Sequence, residues 1–177
     1  ESISLTPFAA TSAPPPASRL PLQPCHVDGL AEEILCGVHE VFEDRAVGAG
    51  RRLPIHVAVL PALRRNVQPD PLFLMAGGPG QGARGMAPVA ARYFRQVRRE
   101  RDIVLVDVRG TGASHRLACD PGSDELTALG DQDAGGVARR WGAALDADPR
   151  FYTHRESLAD LDEIRARLGY ARINLWG

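Results

Sequence analysis

The most chemically suggestive residues lie in one short segment, Ala76-Gly77-Gly78-Pro79-Gly80-Gln81-Gly82, directly after the apolar run 71–76 (PLFLMA). Three chemistries use such a loop. A phosphate-cradling Walker A loop needs G-x-x-x-x-G-K-[ST]; Gly77 and Gly82 have the spacing, but Ala83 stands where the lysine must be. A dinucleotide fingerprint is met by Gly80, Gly82 and Gly85 as G-x-G-x-x-G, and Asp107 lies 22 residues beyond Gly85, where a ribose-binding acid belongs. An oxyanion loop uses glycines to let backbone N–H groups face a reacting carbonyl; losing one such donor costs roughly 3–4 kcal/mol of transition-state stabilisation. The plain alternative is a Gly/Pro turn joining a strand to a helix.

The second segment is Asp107-Val108-Arg109-Gly110-Thr111-Gly112-Ala113-Ser114. A dinucleotide fold would follow the acid with a helix completing the ribose pocket. Here a polar turn punctuated by Gly110 and Gly112 follows instead, and its plain reading is a surface turn. Asp107 and Arg109 stand two apart at a strand end, where both can tie down neighbouring loops by hydrogen bonds, so a structural role is expected for them.

These segments need elements to hold them. The runs 71–76, 103–106 (IVLV) and 172–176 (RINLW) are short and unbroken, as buried parallel strands are, with helical patterns between them. One helix is expected from Pro88 to about Arg99, with Val89, Tyr93 and Val97 on one face and Arg92, Arg95 and Arg99 on a solvated one. Another is expected around 134–146, with Val137, Trp141 and Leu145 in register. A third is expected from Ser157 to Leu168, with an apolar stripe of Leu158, Leu161, Ile164 and Leu168. Thr153 and Glu156 suit a capping box before it, and Gly169 is a natural stop. Upstream, 37–43 (GVHEVFE) and 53–60 (LPIHVAVL) read as an antiparallel pair, with Ile55, Val57 and Val59 on one face. Residues 1–24, rich in Pro, Ser and Ala, read as a flexible leader, and 25–177 as the folded part. The class is α/β with a leading antiparallel hairpin.

Composition narrows the chemistry. The 177 residues are 44% hydrophobic and carry a formal net charge of −1, an ordinary globular balance with no electrostatic footprint for nucleic acid or an anionic membrane. All 21 basic residues are Arg, which excludes Schiff-base and P-loop lysine mechanisms. No run reaches the roughly 18 apolar residues of a membrane span. Cys25, Cys36 and Cys119 form no C-x-x-C, and no His/Cys spacing suits zinc, so no metal and no cofactor is expected. Cys25 and Cys36 flank a helix-like stretch, Val27 to Leu35. They read either as buried thiols or as a disulfide worth about 3 kcal/mol. The start at Glu1 and the leader favour an exported, secreted or periplasmic protein.

GGPGQGA after a strand, then DIVLVDVRGTGAS, then DPRFYTHRESLADLDEIRARLGYARINLWG, resembles the α/β-hydrolase fold. More narrowly it resembles the exported proline iminopeptidase and tripeptidyl aminopeptidase group of serine peptidases. The resemblance covers about residues 25–177. It implies an oxyanion hole shaped by Gly77, Gly78, Pro79 and Gly80, with Asp107, Arg109, Gly110 and Gly112 as structural residues near the cleft. It also implies a Cys25–Cys36 disulfide and a second bridge from Cys119, for which residues 120–177 hold no partner.

In that family a strand like INLWG runs into the nucleophile elbow, G-x-S-x-G, with Gly177 as its first glycine. No serine here has that context. His26, His39, His56, His115 and His154 all precede the expected elbow, and only His115 is placed near the cleft. The chain is thus expected to be the N-terminal half of the hydrolase domain, with no catalytic residue of its own. It would be inactive without the remainder of that domain and would leave an open sheet edge. The implied substrate is a peptide or a small amide or ester. Two other readings stand beside this one: a nucleotide-binding, Rossmann-like oxidoreductase on Gly80, Gly82, Gly85 and Asp107, and a non-catalytic binding module on the same scaffold.

Overall fold

The computed structural model describes residues 18–78, 80–117, 135, 136, 139, 142 and 145–177. Six strands form one mixed sheet: β1 (Gln23–Cys25), β2 (Ile34–Phe42), β3 (Arg52–Leu60), β4 (Leu72–Leu74), β5 (Ile103–Val106) and β6 (Asn174–Trp176), in the order β1-β2-β3-β5-β4-β6. The expected hairpin is present: β2 and β3 pair antiparallel from Leu35↔Val59 to Phe42↔Arg52. Its turn is fixed locally by the Asp44 carboxylate, which accepts from the amides of Ala46 and Val47 at 2.9 and 3.2 Å. The expected parallel strands are also present, with β4 parallel to β5 on one side and to β6 on the other.

Side chains alternate across this sheet into two cores. Leu53, Ile55, Val57, Val59, Phe73, Val104 and Val106 face one way and meet Leu161 and Ile164 of α3 (His154–Leu168). Ala58, Leu60, Leu72, Leu74, Ile103 and Leu105 face the other way. They meet Ala83 of a 3-10 turn and Ala87 and Ala90 of α1 (Ala87–Tyr93). All four residues of β5 are buried, as a strand covered on both faces requires.

Several local expectations are corrected. Val27 to Leu35 is not a helix: Gly29 takes the left-handed conformation (φ +80°), and Ile34 already pairs with Cys25 in the sheet. Order begins upstream of residue 25, because Leu20 is buried and its amide donates to the Arg167 carbonyl at 2.8 Å. The segment 88–99 divides at Phe94 into α1 and α2 (Arg95–Arg98). Its inward face is Ala87, Ala90, Phe94 and Val97, while Val89 and Tyr93 are exposed; alanines let the helix approach the sheet more closely than Val and Tyr would. In α3, Leu158 is exposed and Asp160 faces inward instead. That helix starts at His154, with Thr153 Oγ1 accepting from the Glu156 amide at 3.4 Å and left-handed Gly169 as its stop. β6 is exposed along its whole length rather than buried. Pro79, Val137, Trp141, Cys119 and the leader up to residue 17 lie outside the described residues.

Candidate functional site

The connections around β4 and β5 determine where a cleft opens. The link from β4 to β5 runs through α1 and α2 on one face of the sheet. The link from β5 to β6 uses α3 on the opposite face. Loops leaving two adjacent parallel strands therefore diverge to opposite faces, and such a switch point leaves a crevice beyond the strand ends. A cavity of about 700 Å³ lies there. The glycine loop (Gly77, Gly78, Gly80) forms one wall, Val108 and Thr111 of the second turn another, and Tyr152, His154 and Ser157 at the start of α3 a third.

The glycine loop enters the cavity with its donors unspent. Gly78 and Gly80 have φ of +130° and +89°, which L side chains rarely adopt. Among the described residues, the amides of Gly77, Gly78 and Gly80 donate to no protein acceptor. The loop stands beside the tip of β6: Leu74 is in register with Trp176, and the Met75 amide donates to the Trp176 carbonyl at 2.8 Å. A Cβ on Gly177 would sit 3.1 Å from Met75 Cβ, so the strand end and the loop are direct neighbours.

Asp107 anchors this loop from behind. Its Oδ1 accepts from the Arg84 amide at 2.8 Å and its Oδ2 from the Ala113 amide at 3.1 Å. The clamp leaves no room for side chains. A Cβ on Gly82 would lie 2.7 Å from Gly112 Cα, and one on Gly112 would collide with the Asp107 carboxylate. Asp107 is 2% exposed, and each of its carboxylate oxygens accepts from a backbone amide.

Arg109 holds the opposite wall. Its guanidinium pairs with Asp160 through Nε at 2.7 Å and Nη2 at 2.8 Å, and Nη1 donates to the carbonyls of Glu43 and Phe151 at 3.0 and 2.7 Å. Arg45 adds contacts to Asp160 and to Glu163, and Glu163 also meets His39 at 2.7 Å. Half-burial opposes ionisation of Glu163, yet His39 and Arg45 hold it below the ordinary carboxylate range. Gly110 (φ +83°) lets Tyr152 lie close, 3.0 Å from where its Cβ would be. The Tyr152 hydroxyl donates to Glu43 Oε1 at 3.1 Å; burial first, then Glu43, raises its pKa, so it remains a neutral donor.

The structure thus places Gly77, Gly78, Gly80 and Arg109 on the lining of this crevice, while Asp107, Gly110 and Gly112 lie in the clamp and turn beside it and are not on its lining. His115 is not on its lining; its ring contacts the Asp146 carbonyl at 2.8 Å and lies 6.2 Å from the Tyr152 ring. His154, which the sequence did not place near the cleft, does line the cavity. His56 lies behind the clamp, its amide donating to Ser114 Oγ at 2.8 Å. Sequence reasoning missed Asp160, Arg45 and Tyr152. A signal for Asp160 existed: Glu156, Asp160 and Glu163 recur at i, i+4 and i+7 on α3 beside its apolar stripe, and such an acid row needs cations opposite.

Among the described residues no group of three or more His, Cys, Asp or Glu could hold a metal ion, and no helix is long and apolar enough to cross a membrane. The sulfurs of Cys25 and Cys36 are at bonding distance, with their Cα atoms 5.8 Å apart. No model of a known protein family matches this chain, and no curated protein matches it.

Proposed function

We propose that this chain supplies the oxyanion loop and one wall of the substrate cleft of an exported serine hydrolase, an aminopeptidase acting through an acyl-enzyme. The carrying observation is that Gly77, Gly78 and Gly80, whose amides donate to no protein acceptor among the described residues, line a switch-point crevice beside the tip of β6. In the α/β-hydrolase arrangement, a strand-to-helix turn presents the serine, and an N–H from a neighbouring strand–helix loop helps bind the oxyanion. A carbonyl attacked at the tip of β6 would direct its developing charge toward this loop. Donors already oriented stabilise that charge without reorganising. No serine of these 177 residues stands in a G-x-S-x-G context. Peptide specificity rests on the resemblance of GGPGQGA, DVRGTGAS and the 148–177 segment to the peptidase group. The Cys25–Cys36 pair suits an oxidising, extracytoplasmic location.

The test uses the product of the complete reading frame, assayed on aminoacyl p-nitroanilides and the matching esters, with fluorophosphonate labelling. Gly78→Ala should lower kcat at least about tenfold with little change in KM, because a displaced donor acts only in the transition state. Hydrolysis of esters but not anilides would remove the peptidase assignment. Absence of labelling and of both activities would remove the hydrolase reading.

A further inference from the structure

The Cys25–Cys36 disulfide has an asymmetric environment. Arg84 Nη2 lies 3.7 Å from Cys36 Sγ, and Arg84 forms no ion pair among the described residues. Its Nη1 lies 3.5 Å from His56 Nδ1, and its Nε is buried without a partner. His56 is held below its ordinary pKa, by burial first and by Arg84 second, so it is neutral near pH 7 and the guanidinium is the cation beside this disulfide. No comparable cation stands at Cys25 among the described contacts. Both cysteines border a cavity of about 380 Å³ between Pro21, Val38 and His56, which gives a small thiol an approach. The disulfide also fastens a weak element: β1 has only three residues, and its middle one, Pro24, has no N–H to give.

We propose that Cys25–Cys36 is a directional thiol-exchange site at which a dithiol reductant attacks Cys25 and Cys36 departs as thiolate against the Arg84 guanidinium. One reductant thiolate forms a bond to Cys25 Sγ while the Cys25–Cys36 bond breaks, and the bonding pair leaves on Cys36. The second reductant thiol, as thiolate, attacks the mixed disulfide and expels Cys25. The dithiol is oxidised to its own disulfide by two electrons, and the two protons it loses pass to the released cysteines or to solvent. The lower-pKa sulfur is the better leaving group, and a cation beside Cys36 selects it. Reduction unfastens β1 from the buried Ile34 it covers. It does so at a side chain whose own backbone amide is held by Asp107 behind the glycine loop.

The test exposes the oxidised full chain briefly to reduced glutathione, quenches in acid, caps free thiols with N-ethylmaleimide and maps the peptides. The expected result is glutathione on Cys25 with Cys36 capped; glutathione on Cys36, or equally on both, overturns the proposal. In parallel, Arg84→Gln should slow reduction by dithiothreitol about threefold at neutral pH, taking about one pKa unit for the leaving thiol and about half of that in the rate. Arg84→Lys should recover most of it. An unchanged rate in Arg84→Gln overturns the proposal, and the glutathione map on the unmodified chain decides it even if that variant does not fold. Neither readout depends on hydrolase activity.

Discussion

Replacing Asp160 by Asn tests what joins the two walls of the cleft. The change preserves shape and removes one charge. Asp160 is 1% exposed, and the Arg109 side chain it pairs with is wholly buried, so Asp160→Asn strands a guanidinium that cannot reach water. Breaking a buried pair from one side costs about 3–5 kcal/mol. The upper part of that range applies here, because Asp160 accepts from both Arg109 and Arg45. Against a typical total of about 5–15 kcal/mol, this is a large fraction of the fold's stability. At about 2–4 °C per kcal/mol for a chain of this size, Tm should fall by about 10 °C. Urea denaturation of the wild type and the variant, with m-values compared, measures it. The paired variant Arg109→Met/Asp160→Leu should lie between the wild type and Asp160→Asn. It removes both charges but leaves the Glu43 and Phe151 carbonyls without their donor, at about 1 kcal/mol each. A loss below about 1 kcal/mol in Asp160→Asn, or a paired variant worse than that single one, would refute the reasoning.

Two further predictions concern the clamp and the acid limb. Gly112→Ala should destabilise by about 2–3 kcal/mol, measured by urea unfolding, since its Cβ would strike the Asp107 carboxylate at a left-handed position (φ +51°); Gly85→Ala, with open space at its Cβ, is the matched control and should change stability by less than about 1 kcal/mol. Glu163 is held below its ordinary value of 4.5, so it binds protons less readily folded than unfolded. Its contribution to stability is therefore complete above about pH 4.5 and is lost as pH falls through the depressed folded value. Stability measured from pH 7 to pH 3 should fall less steeply below pH 4.5 in Glu163→Gln than in the wild type, and parallel curves would refute the assignment.

Unbroken apolar runs between helical patterns sufficed to place β4, β5 and β6 as parallel strands; for β4 and β5 the reason is that a strand covered on both faces can expose no polar side chain, whereas β6 is exposed along its length. The hairpin of β2 and β3 was legible from alternation, and the end of α3 from Gly169, since left-handed backbone favours glycine. Which face of α1 turns inward was not legible: Val89 and Tyr93 have the helical spacing, yet Ala87 and Ala90 pack on the sheet because closeness of approach depends on a surface supplied by distant residues. The site divides in the same way. Glycine content marked the 77–82 loop and the 110–112 turn as places where backbone must bend, and Asp107 and Arg109 as candidates to hold them. Only the tertiary structure decided that Asp107 grips the Arg84 and Ala113 amides, that Arg109 reaches 51 positions along the chain to Asp160, and that Tyr152 and His154 line the same crevice. Local chemistry determines where a chain bends and which faces avoid water; the partner of a buried charge depends on the crossing of β5, β4 and β6, which no local window contains.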